Sequence, residues 1–443
     1  MSQSVNAAIA VVFFAWQDLW VRSQSGGGMR IRLMAVAAAV GAGSLVLSGC
    51  VSSGSSSSEA SSAPAEASAA ASTAASAAAP AGDPLVLGIV QAGSGFMGPI
   101  DTPARNALLM EVDAVNAAGG VNGQPITVEF IDTETKFEKY APAAEEVIGK
   151  GANVLVVTCD YDVSSPAALV AEGKNILNVA PCIGDPIYGP AGGLKLGFSM
   201  GDGVPGEASV MAEFANSKGW KNAVLLKDTS IKYTQNQCAV FEKRFTELGG
   251  TVVKTYDYVQ GDSVKETVSK ISAAGAPDVI INCGYNPGGG TVAKEIRDGG
   301  LATPIVSGFG MDGDFWVGAI PNLSDYYVVT YNSKNGDDAN AAVNEYAAAY
   351  EAKYGAKPDV GGFVTGPTTL QVILEAYKQA GSWDGDKLTA ALETFKDVPT
   401  LAGPTSFSPD LHINVGRPMA ILEVKDGQLK FIEAVAPEKV VFP

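Results

Sequence analysis

One histidine, His412, occurs in this chain of 443 residues. A catalytic triad or a histidine-rich metal site would have to be built around it alone. No H-E-x-x-H and no C-x-x-C spacing occurs. Basic residues are also scarce. Lys and Arg number 30 against 47 Asp and Glu, a formal charge of −17. No Lys/Arg cluster appears, which excludes a phosphate-tracking nucleic-acid surface and argues against an anionic membrane face as the main partner. These absences leave no catalytic residue, no metal and no cofactor to name, so the chain reads as a non-enzyme.

What the chain does have is apolar sequence, 47% of residues, and 51 glycines, enough for two or three α/β domains. Met29-Arg30-Ile31-Arg32 is a short basic stretch, and an apolar run over 33–47 follows it. The run has the length of a signal peptide and is short for a membrane span. It ends in Leu47-Ser48-Gly49-Cys50, which resembles the lipobox of bacterial lipoproteins. That resemblance makes 29–50 a lipoprotein signal peptide and Cys50 the lipidated residue. Residues 1–28, with a second apolar run, read as a start assigned too early. Residues 51–82 are almost wholly Ser, Ala, Pro and Gly. Such a tract buries too little apolar area to offset its ordering entropy. As a flexible coil it reaches about 30 Å r.m.s., long enough to hold a folded domain off a membrane.

From Pro84 onward, short apolar runs alternate with helical stretches, the pattern of parallel βαβ units. The order occurs twice. Strands are expected over 85–90, 126–132, 153–158 and 176–180, then over 222–226, 251–256, 278–282 and 304–307. The first helix of each copy ends in Gly-Gly, Gly119-Gly120 and Gly249-Gly250, where left-handed caps are expected. Two such lobes imply a cleft at the carboxyl ends of their strands, closed by a hinge motion.

Gly93-Ser94-Gly95-Phe96-Met97-Gly98 follows the first strand and outlines G-x-G-x-x-G, with Asp132 ending the second strand. Pro99 and Pro103 interrupt the helix that a dinucleotide fingerprint needs, so the loop is read as a binding loop for a small ligand. The stretch LGIVQAGSGFMG, the segment NALLMEVDAVNAAGGVNGQPITVEFIDTET and later blocks such as AAEEVIGKGANVLVVT and AKEIRDGGLATPIVSGFG resemble the leucine/isoleucine/valine-binding protein family. The resemblance runs over 84–443. It implies the type I periplasmic-binding fold, an α/β fold of two Rossmann-like lobes with parallel sheets joined by three crossover segments. It divides the folded part into 83–200 with 332–404 as lobe 1, and 201–331 with 405–443 as lobe 2. Passages between lobes are expected near 198–203, 328–332 and 403–408.

The resemblance also implies the ligand positions. They are Gly95, Phe96 and Met97 in the glycine-rich loop, then Thr158, Cys159, Asp160 and Tyr161 after the third strand. Cys182, Ile183 and Gly184 follow the fourth strand. Tyr233, Tyr285, Phe309 and Asp312 come from the second lobe, with Asp312 as the candidate partner of a ligand ammonium. Two departures stand out. Asp160 lies near where a hydroxyl usually meets a ligand carboxylate, and Gly184 cannot supply a second hydroxyl. A carboxylate beside a carboxylate repels unless one is protonated, which weighs toward a cationic or neutral polar solute. Four cysteines remain beside Cys50, and three pairings are possible. Strand order favours Cys159–Cys182 and Cys238–Cys283. The whole implies a monomeric, exported substrate-binding protein of an ABC importer. It would be held to the outer face of the cell membrane only by lipid on Cys50 and would serve permease subunits with a small solute (amino acid or amide/amine-like). The same fold presenting its ligand to a signalling receptor is the alternative.

Overall fold

The computed structural model describes residues 82–443. The expectations for the misassigned start, the signal peptide, Cys50 and the linker up to residue 81 lie outside the described residues.

The chain begins with β1 (Val86–Gln91), α1 (Gly98–Ala117), β2 (Thr127–Asp132), α2 (Phe137–Gly149), β3 (Val154–Val157), α3 (Tyr161–Glu172), β4 (Leu177–Ala180) and β5 (Gly197–Asp202). It continues with α4 (Val204–Ser217), β6 (Asn222–Asp228), α5 (Lys232–Glu247), β7 (Thr251–Tyr258), α6 (Lys265–Ala274), β8 (Val279–Cys283), α7 (Gly288–Asp298), β9 (Ile305–Ser307) and β10 (Tyr326–Thr330). The last third holds α8 (Ala341–Tyr354), α9 (Thr365–Ala380), α10 (Gly385–Leu392), a small hairpin of β11 (Val398–Thr400) and β12 (Gly403–Thr405), then β13 (Ile413–Asn414), β14 (Met419–Lys425) and β15 (Gln428–Val435).

The first large sheet runs β2-β1-β3-β4-β5-β13, and the second runs β7-β6-β8-β9-β10-β14-β15. Shifting the strand numbers by five superimposes the first five strands of the two orders, so the duplication extends to topology. Every pairing in the first sheet is parallel. The second sheet departs from an all-parallel expectation, because β14 and β15 add to it antiparallel. β3 shows why the parallel strands read as continuous apolar runs. Val154 and Val156 pack with Leu108, Ile373 and Leu388 on one face. Leu155 and Val157 pack with Tyr140, Val147 and Ala168 on the other. Successive side chains point to opposite faces and helices cover both, so no position is left for a polar residue.

The glycine pairs differ from expectation in one respect. Gly119 and Gly120 both take left-handed φ, +107° and +73°, but in the second pair only Gly249 does, at +83°. Gly250 is required for space instead: a Cβ there would strike the Phe245 ring.

The chain leaves the first sheet between Asp202 and Val204, and leaves the second after Thr330. The third passage falls between Asn414 and Met419 rather than at 403–408, because Ile413 and Asn414 still pair with Ser199 and Asp202. Arg417 ties this passage down, donating to Met200 O (2.9 Å) and Pro404 O (3.1 Å). His412 is also structural here. Its Nδ1 sits 2.9 Å from Gly197 O and its ring stacks 3.8 Å from the Phe198 ring. Among the described residues no helix is long and apolar enough to cross a membrane.

Candidate functional site

In both sheets the strand order reverses between equivalent strands, β1 and β3 in the first, β6 and β8 in the second. Loops at such switch points splay apart and leave a crevice beyond the carboxyl ends of the strands. Here the loops after these four strands, joined by those after β4 and β9, line one pocket. Its cavity of about 40 Å³ is small and suits a compact solute.

The first-sheet wall rests on a buried scaffold. Asp101, in the first turn of α1, accepts the Ala92 N–H and the Cys159 N–H, both at 2.9 Å, and so fixes the loop after β1 against the loop after β3. Burial pushes its carboxyl up to about 6. The glycine-rich loop is closed by Asp132, which accepts from Gly93 N–H (2.7 Å), Ser94 N–H (3.3 Å) and Ser94 O–H (2.9 Å). The acid that a dinucleotide fingerprint would offer to a ribose is thus bound to the loop itself. At the pocket, Asp160 caps α3, accepting the Val163 N–H at 3.1 Å. Burial, with repulsion from Asp162, pushes its carboxyl up to about 7. The neighbouring wall segment, Cys182 to Asp185, is joined to this one through Cys159. The two cysteines are disulfide-bonded with Cα atoms 4.8 Å apart.

The second-sheet wall is aromatic. Tyr233 on α5, Tyr285 after β8 and Phe309 after β9 face the pocket with Ile231, Asn286 and Gly310. Tyr233 is held from behind. Its hydroxyl donates to Glu207 Oε1 (2.8 Å) and accepts from Gly310 N–H (3.0 Å) and the Gln237 amide (2.9 Å). Glu207 is fully buried and burial pushes it up to about 7. The Tyr233 ring explains Gly184: a Cβ at that position would lie 2.9 Å from ring carbon Cδ2. The space of an expected hydroxyl is therefore filled by an aromatic ring from the other sheet. The walls also touch directly. Lys232 N–H donates to Asp162 Oδ2 (2.8 Å), the Asn236 amide donates to Asp185 Oδ2 (2.7 Å), and the Phe96 and Tyr285 rings lie 5.9 Å apart. The second disulfide, Cys238–Cys283, lies inside the second lobe and does not line the pocket, with Cα atoms 5.7 Å apart.

Of the residues expected at the ligand, Met97, Cys159, Asp160, Tyr161, Cys182, Ile183, Gly184, Tyr233, Tyr285 and Phe309 line the pocket. Four do not. Gly95 sits in an exposed turn with φ +78°, and Phe96 is exposed at the rim beside Tyr285. Thr158 is buried, its hydroxyl taken by Ala92 N–H (3.1 Å) and by contact with Tyr140 OH (2.9 Å). Asp312 is equally committed, accepting from Thr330 O–H (2.7 Å), Gly361 N–H (2.7 Å) and Gly313 N–H (2.6 Å), so it is a structural anchor and not an ammonium partner. Ile100, Asp185, Ile231, Asn286 and Gly310 line the pocket without having been singled out. Asp185, Asn286 and Gly310 each follow a residue that was, so extending each loop by one position would have found them. Among the described residues no group of three His, Cys, Asp or Glu side chains is gathered to hold a metal.

A family model described as periplasmic binding protein matches residues 84–428. A Leu/Ile/Val-binding protein homolog of Brucella melitensis is 25% identical over 329 residues, covering 73% of this chain and 87% of that protein. The structure of a leucine binding protein, LivK, from Thermotoga maritima superimposes with a TM-score of 0.71 at 21% identity, over 80% of this chain and 99% of that one. A solute binding protein of an R. palustris ABC transporter in complex with benzoate gives a TM-score of 0.67 at 21% identity, over 82% and 98%.

Proposed function

The chain belongs to the periplasmic binding protein family, and from that premise we propose that it is the substrate-binding protein of an ABC importer. It takes a small polar solute (an amino acid, or an amide- or amine-like molecule) into the cleft between its two lobes and closes on it. It does no chemistry on the solute. The closed form is what the permease subunits recognise. Lipid on Cys50 holds the protein at the outer face of the cell membrane, and residues 51–82 tether the folded part to that anchor.

The observation that carries this reading is a pocket lined at the switch points of both sheets, with three chain passages behind it to act as hinges. Hydrogen bonds such as Lys232 N–H to Asp162 form only when the lobes meet. Their energy, about 1 kcal/mol each, is of the size that lets a bound solute decide between open and closed forms. Thermal shift against leucine, isoleucine, valine, amides, urea, small polyamines and aromatic acids tests it. A true solute at one hundred times its Kd stabilises the protein by about 2.7 kcal/mol, several degrees in melting temperature. Metabolic labelling with a fatty acid tests the anchor: label enters the protein and is lost in Cys50→Ser.

A further inference from the structure

The lining residues include three carboxylates, Asp160, Asp162 and Asp185, and no Lys, Arg or His. Two of the three are engaged across the walls, Asp162 by the Lys232 N–H and Asp185 by the Asn236 amide. Asp160 is not. It is 5% exposed, one oxygen caps α3, and no side-chain donor among the described residues reaches it. A carboxylate so deeply buried without a cation is rare, because desolvation penalises the ion unless a partner offsets it. Asn286, 7% exposed on the opposite wall, has an amide oxygen with no hydrogen-bond partner. Both groups are acceptors that await a donor. The wall that carries Asn286 also carries the rings of Tyr233, Tyr285 and Phe309, and aromatic faces attract a cation.

Resting on the reading of this pocket as the solute site, we propose that the solute is a small organic cation without a carboxylate, of the ammonium or guanidinium class. An α-amino acid would bring its carboxylate among three others with no basic side chain to meet it. The N-terminus of α3, the natural seat for that carboxylate, is already capped by Asp160. A cation removes the repulsion between Asp160 and Asp162 and fills the unoffset side of the pocket.

The test is thermal shift and calorimetry on the purified protein with tetramethylammonium, methylammonium and guanidinium, against acetamide, leucine and benzoate. At least one of the three cations is expected to bind and the anion benzoate is not. Asp160→Asn keeps the helix cap, since Asn caps as well as Asp, and is expected to weaken cation binding at least tenfold without lowering the melting temperature of the free protein. Should that variant fail to fold, Asp162→Asn, whose amide oxygen still accepts the Lys232 N–H, carries the same test with a loss of about threefold or more. Tetramethylammonium has a fixed charge, so its affinity is expected to fall as pH drops from about 8 to 6 through protonation of the protein alone. The groups facing Asp160 are Asp162 on the same helix, Asp101 behind it, and Tyr140 and Tyr285. Acetamide, leucine or benzoate binding while all three cations stay silent overturns the cation assignment and leaves the solute site standing. Silence of all six, on protein unfolded and refolded to strip resident ligand, overturns both.

Discussion

The two walls of the pocket are made from equivalent strand ends of two sheets with one topology, yet their chemistry is opposite. The first sheet presents carboxylates on loops, stapled by a disulfide that lies in the wall itself. The second presents aromatic rings, of which Tyr233 has its hydroxyl held by buried partners behind it, and its disulfide does not line the pocket. A duplicated architecture therefore fixes where the site is and not what each half contributes. Charge sits on the wall whose loops are held by backbone N–H groups and a staple. Shape sits on the wall whose Tyr233 ring is held by a side-chain network.

Removing each disulfide is the largest way to break this comparison. Cys238 and Cys283 are 45 residues apart in sequence, so their double Ser variant is expected to lose about 4 kcal/mol of stability on the chain-entropy model. Cys159 and Cys182 are 23 apart, and their double variant is expected to lose about 3 kcal/mol. The order reverses for binding. Only the second variant frees Asp160 and Gly184 to move apart, so only it weakens solute affinity, by tenfold or more. Denaturant melts and calorimetry on both variants decide the matter; equal losses of affinity would show that the wall staple has no special part.

A smaller effect separates the walls by single side chains. Tyr233→Phe keeps the ring and removes the hydroxyl that joins Glu207, Gln237 and the Gly310 N–H. Leaving those buried groups unpaired is expected to cost about 1–3 kcal/mol in a urea melt. Asp162→Asn on the facing wall, half-buried and still able to accept, is expected to stay within about 0.5 kcal/mol. The aromatic wall then shows itself as part of the fold and the acidic wall as part of the binding surface. Asp162→Asn costing as much as Tyr233→Phe would erase that distinction.

The duplication was legible because parallel strands buried on both faces must be apolar throughout, as VLVV of β3 is, and because each copy is punctuated by glycine. The pocket loops were legible because they follow those strands. What the sequence could not carry was long-range. Nothing near Asp312 foretells that Thr330 and Gly361 claim its carboxylate, and nothing near Thr158 foretells Tyr140 and Ala92. Gly184 read as a missing hydroxyl, when its meaning lies in the Tyr233 ring some fifty residues on in the other lobe. The third passage was placed early because β13 is two residues long and has no pattern of its own.

The pH dependence of stability also has an address on each wall. Burial pushes Asp160, Glu207 and Asp202 each up to about 7, against an ordinary carboxylate value near 4. In the folded protein these groups take up a proton between about pH 7 and 4, where the unfolded chain has not yet done so. The folded state is therefore favoured as pH falls through that window, and the free protein should melt a few degrees higher at pH 5.5 than at pH 8. Below about 6.5 the buried His412, whose pKa burial lowers, works the other way, because the unfolded chain then binds the extra proton. Asp160→Asn and Glu207→Gln each remove one acid. Each should flatten the rise, and the two together should flatten it by the sum, since the residues sit on facing walls with separate hydrogen-bond partners. A melting temperature that does not rise between pH 8 and 5.5 would mean that these carboxylates already have a counter-charge, and the acidic wall would not be waiting for one.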